Sequence, residues 1–93
     1  MTLVHQGPNG TVTIPESVLV EIAARAAESV AGVRVRRKRT IDVEAKLVRL
    51  EIDAPRTAPL VETGAAVQEA VAAALETMCG LPARVDVAVE ELA

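Results

Sequence analysis

Leu47-Val48-Arg49-Leu50-Glu51-Ile52-Asp53 is the stretch on which the fold class turns. Val48, Leu50 and Ile52 face one way and Arg49 and Glu51 the other, the two-residue period of a strand with one buried and one wet face. The same alternation precedes it. Ile41 and Val43 alternate with Asp42 and Glu44, and before them Val33 and Val35 alternate with Arg34 and Arg36. This predicts a strand that is interrupted or bulged near residues 37–40. A turn around Ala45 and Lys46 then joins the two strands into a hairpin.

Outward from this hairpin the period changes. Val18, Leu19, Ile22, Ala23, Ala26 and Val30 recur at helical spacing, so a first helix is expected from Glu16 to Ala31. Glu16 suits the positive end of the helix dipole, and Gly32 stands where a left-handed cap belongs. Pro55 and Pro59 bracket a short loop. Leu60, Gly64, Val67, Val71, Leu75 and Met78 mark a second helix through Met78, closed by Gly80 and Pro82. Val85, Val87 and Val89 alternate with Arg84, Asp86, Ala88 and Glu90 as the last strand, and Thr11-Val-Thr-Ile14 reads as the first, stopped by Pro15.

The element order is therefore βαββαβ, an α+β fold. The expected architecture is a four-stranded sheet with two helices packed on one face and the other face polar. The sequence leaves the strand order open; a ferredoxin-like arrangement is the commonest solution for this order, by analogy. Residues 1–10, with Gly7, Pro8 and Gly10, read as a flexible leader, and residues 11–93 as a single domain.

Composition narrows the function. The chain holds no Phe, Tyr or Trp, so its core is built from Val, Ala, Leu and Ile, each large side chain contributing roughly 1.5–3 kcal/mol on burial. Ligands gripped by aromatic stacking are disfavoured, among them single-stranded nucleic acids, sugars and flat cofactors. A net charge of −3 argues against a surface devoted to phosphates. One cysteine excludes an internal disulfide, and no Cys/His spacing suits zinc. The beginning of the chain carries no secretory pattern, and no run approaches the roughly 20 apolar residues of a membrane span. The expectation is a cytoplasmic protein without cofactor or metal.

Candidate chemistry is sparse. His5 has no second ligand or acid near it in sequence. Cys79 lies at a helix C-terminus, where the dipole disfavours a thiolate. Ser17 and Ser29 sit in a helix, with a single histidine in the chain to act as base. No phosphate loop is present, and no Gly-x-x-Gly joins two helices as the clamp of KH domains does. No catalytic residue is assigned, and an enzyme is not expected.

The basic run Arg34, Arg36, Arg37, Lys38 and Arg39 stands out. It reads either as a solvated edge or as an anion patch for acidic headgroups, an acidic partner segment or nucleic acid. A second feature is alanine on the helix flanks. Ala24, Ala27 and Ala31 lie in the first helix and Ala66, Ala70 and Ala73 in the second, the latter three a candidate helix interface. Helix propensity alone also explains them. Self-association is expected, through these alanines or through Val85–Val89 if that strand lies at an edge.

Several segments together resemble the alkaline shock protein family, envelope stress response proteins found mainly in Gram-positive bacteria. They are Gly10-Thr-Val-Thr-Ile-Pro-Glu-Ser-Val-Leu19, Ala31-Gly-Val33, Glu76-Thr-Met-Cys-Gly-Leu81 and Val85-Asp-Val-Ala-Val89. Two departures stand beside them: family members commonly carry a longer segment after the Gly-Val, here replaced by Arg36-Arg-Lys-Arg39, and Cys79 stands where Thr is usual. The resemblance implies an α+β domain without enzymatic activity, held at the inner face of the membrane by a membrane-anchored partner or paralogue and serving cell-envelope homeostasis. The alternative is a regulatory nucleic-acid-binding domain using the basic run.

Overall fold

Val48, Leu50, Ile52 and Ala54 are all buried while Arg49 between them is exposed, so the alternation in residues 47–53 is realised as a strand with one face in the core. The computed structural model describes residues 2–92; the first and last residues of the two expected segments, 1–10 and 11–93, lie outside them. The order is β1 (Thr2–Gly7), β2 (Gly10–Pro15), α1 (Glu16–Glu28), β3 (Arg34–Asp42), β4 (Leu47–Ala54), α2 (Leu60–Cys79) and β5 (Arg84–Leu92).

The expected single four-stranded sheet is not what forms. Among the described residues there are two sheets, an antiparallel β1–β2 hairpin and a three-stranded sheet of order β3-β4-β5. The order of elements is ββαββαβ. Thr2–Gly7, expected as a loose arm, pairs with Gly10–Pro15 across the two-residue turn Pro8-Asn9. The strand expected at Thr11–Ile14 exists but joins that hairpin rather than the main sheet. The burial explains why: in β1 and β2 only Leu3, Gly7 and Ile14 are partly buried, and Val4 and Val12 remain in solvent. A strand in the main sheet would have to bury a whole face.

In the main sheet β3 and β4 are antiparallel, as the hairpin reading requires, and β5 returns parallel to β4 after α2. The turn is held by Asp42, whose Oδ1 accepts the Ala45 N–H at 3.0 Å, and Lys46 takes a positive φ of 54°. Both helices lie over one face. Leu19, Ala23 and Ala27 of α1 and Val67, Val71, Leu75 and Cys79 of α2 meet Ile41, Val48, Leu50, Ile52 and Val85 in one aliphatic core with no buried polar side chain among the described residues.

The helix boundaries follow the local chemistry. Helix α1 begins after Pro15 and stops at Glu28, three residues short of the expected Ala31. Ser29 Oγ accounts for part of this, donating to the Ala26 carbonyl at 2.6 Å, after which Gly32 turns the chain at φ 78° against Pro55. Helix α2 runs one residue past Met78. Gly80, in the left-handed region at φ 65°, ends it with its N–H on the Glu76 carbonyl and that of Leu81 on Leu75.

Candidate functional site

The basic run forms most of β3, an outer strand of the sheet. Val35 pairs with Ile52 and Arg39 with Leu50, so Arg36, Arg37 and Lys38 all stand opposite Glu51 alone. This is the bulge the broken alternation foretold. It crowds three cations into the space of one residue pair, and the open face of the sheet responds with carboxylates. Arg36 Nη1 lies 3.0 Å from Asp53 Oδ1 and 3.4 Å from Glu91 Oε2; the hydrogen bond and charge of Asp53, then the charge of Glu91, push the guanidinium pKa up. Lys38 Nζ lies 4.0 Å from Glu51 Oε2.

The five-residue patch therefore divides. Arg36 and Lys38 are engaged by acids of β4 and β5. Arg34, Arg37 and Arg39 are exposed, and they make no ion pair among the described residues. Beside them Glu28, the last residue of α1, accepts the Val35 backbone N–H at 3.1 Å. The surplus positive charge of the run is thus gathered on the outer edge of the sheet, away from the helix core.

The candidate helix interface also changes. Ala24 and Ala27 are core residues, and Ala31 lies past the end of α1. In α2, Ala66 and Ala70 are half-buried and Ala73 is exposed. Ala66 and Ala70 continue, at four-residue spacing, the stripe of Ala74. Ala74 instead lines an open groove of about 650 Å³ between the helices, with Val18, Ile22, Ala26 and Met78 as its apolar wall and Ser17, Glu21 and Arg25 at its rim. Met78 is 66 % exposed there. It stands four residues after Ala74, so the two share one flank of α2.

His5 lies on the hairpin near the end of α2, in a shallow recess shared with Val12, Ile14, Glu76 and Met78. No group of three or more metal-binding side chains occurs among the described residues. Cys79 is buried in the core, and desolvation pushes its thiol pKa up. No helix among the described residues is long and apolar enough to cross a membrane. Compared with family models, with curated proteins and with solved structures, the chain gives no match.

Proposed function

We propose that this chain is a non-enzymatic interaction module that takes an acidic segment of a membrane-anchored partner, or of a related paralogue, at the cytoplasmic face of the membrane in the service of envelope homeostasis. One observation carries the reading: Arg34, Arg37 and Arg39 stand exposed on the outer strand without ion pairs among the described residues, while Arg36 and Lys38 beside them are engaged by carboxylates. Guanidinium groups spaced along an extended strand match carboxylates spaced along a second extended segment, and each such pair is charge-assisted. The resemblance to the alkaline shock proteins supplies the membrane context.

A titration of the purified chain with a labelled Glu-rich peptide, with anionic vesicles and with generic DNA and RNA at low salt tests this. Saturable peptide binding that is lost in the triple variant R34E/R37E/R39E supports the proposal. Tighter binding to nucleic acid, with a logarithm falling steeply as salt rises, overturns it in favour of the regulatory nucleic-acid alternative. Binding to vesicles with none to peptide overturns the choice of a protein segment.

A further inference from the structure

The sheet has a second outer strand, and its chemistry is the opposite of that of β3. Arg84 N–H donates to the Lys46 carbonyl at 2.8 Å, so the backbone groups of Arg84 point at β4. In a strand these directions alternate, and the N–H and C=O of Val85, Val87 and Val89 therefore point away from β4, the Val85 carbonyl toward Gln68 of α2. No other strand among the described residues pairs with them. The ladder with β4 stays regular from Arg84 to Val89 and slips only after it, where Val89 pairs with Ile52 but Glu91 with Asp53.

We propose that this edge is the docking site for a second copy of the chain, paired antiparallel about a two-fold axis through Val87. In that register Val87 faces Val87 of the other copy, Val85 faces Val89, and Arg84, whose Nε lies 3.3 Å from Asp86 Oδ1 of its own strand, stands opposite Glu90 twice by symmetry. The neighbouring registers fail on charge: a shift of one way sets Asp86 against Asp86, and of the other sets Asp86 against Glu90. The chosen register places every outward N–H and C=O of the three valines against its counterpart, as β-strand addition requires.

The helix above the edge fits the same partner. Gln68 reaches from α2 to the outward Val85 carbonyl at 3.0 Å, so its stripe of the helix overhangs the free edge. Val61, Ala65 and Ala72 share that stripe at four- and seven-residue spacings, and Val61 is 87 % exposed. A two-fold axis through Val87 brings this apolar stripe alongside its own copy. Ala66 and Ala70 lie on the opposite flank, the one that carries Ala74 of the groove, and Ala73 is exposed. Strand β3 cannot serve in this way, since its arginines would face their own copies and Glu28 already holds the Val35 N–H.

The test is the mass of the full chain by light scattering across a hundredfold concentration range, which reads self-association whatever becomes of the acidic-segment proposal. The wild type should pass from monomer to dimer. Val87→Pro should stay monomeric with unchanged circular dichroism, because the N–H it deletes points away from β4. Should that variant lose its fold, the charge pair decides: Arg84→Glu should raise the dimer Kd about tenfold, and R84E/E90R should restore it. A wild type that is monomeric throughout, or a dimer that survives in folded V87P or ignores R84E, overturns the proposal. Pairing of this edge only with a different protein, the chain itself staying monomeric, overturns it equally.

Discussion

Gln68 Nε2 donates a 3.0 Å hydrogen bond to the carbonyl oxygen of Val85, so a helix side chain occupies an acceptor on the free edge of the sheet. Edge acceptors left open invite other strands, and a side chain that covers one is a device against indiscriminate pairing. Gln68→Ala should cost about 0.5–1.5 kcal/mol in urea denaturation. It should also tighten self-association, since Gln68 no longer competes for Val85. A looser dimer would show that Gln68 does not compete for that carbonyl but supports the contact alongside Val61, Ala65 and Ala72.

Two glycines with positive φ should respond differently to the same substitution. At Gly80 an added methyl meets nothing closer than ordinary contact with His5, so Gly80→Ala carries only the left-handed backbone penalty, about 1 kcal/mol. At Gly32 the methyl runs into the ring of Pro55 as well. Gly32→Ala should lose at least about 1 kcal/mol more than Gly80→Ala, the added cost of overpacking. Chemical denaturation of both variants checks the order, and equal losses would show that the Pro55 loop simply moves aside.

These same regions show how far the sequence could be read. The strands around residues 41–53 and 85–89 and both helices were legible because each buries apolar residues at a fixed period, and the bulge because that alternation breaks in the basic run. The hairpin of β1 was not: Leu3 and Val4 are adjacent, and only Leu3 turns toward the core, so the segment carries no alternation to detect. Its loss from view made a single four-stranded sheet the natural inference from the strands that remained. In the site, five like charges in a row gave no sign that Arg36 and Lys38 are met by Asp53, Glu91 and Glu51, residues far away in sequence. Likewise the alanine pattern could not say which flank of α2 overhangs an edge, because that depends on the strand order.

Cys79 links stability to alkaline pH. Burial raises its folded pKa, so the folded state prefers the neutral thiol, and the unfolded chain releases that proton first. The associated stability is therefore complete below the ordinary thiol range, about pH 8.5, and declines as pH climbs toward the raised folded value. Melting temperatures measured upward from neutral pH should fall in that window, and Cys79→Ala should flatten the slope. A thiol reagent should label the native protein far more slowly than the urea-unfolded chain. Fast native labelling would mean that the thiol is reachable and reactive.

With no aromatic side chain in the core, stability rests on a few fully buried aliphatics. Leu75→Ala removes one of the largest of them and should cost about 2–5 kcal/mol, a large share of what a domain of this size possesses. Val61→Ala, on the exposed stripe of α2, should leave the unfolding free energy of the monomer within about 0.5 kcal/mol. Urea titrations at low protein concentration separate the two. A large loss at Val61 in the monomer would mean that this face belongs to the core.

The central claim is that the exposed arginines of β3 meet an acidic segment of a membrane-anchored protein. Photo-crosslinking in the native cell tests it most directly, with a photoreactive residue introduced at position 37 and the adduct identified by mass spectrometry. The account predicts one recurrent adduct with a membrane protein, through an acidic stretch on its cytoplasmic side, and its disappearance when Arg34 and Arg39 are reversed to Glu. Adducts with nucleic acid or ribosomal proteins alone, or a membrane adduct indifferent to that reversal, would contradict it.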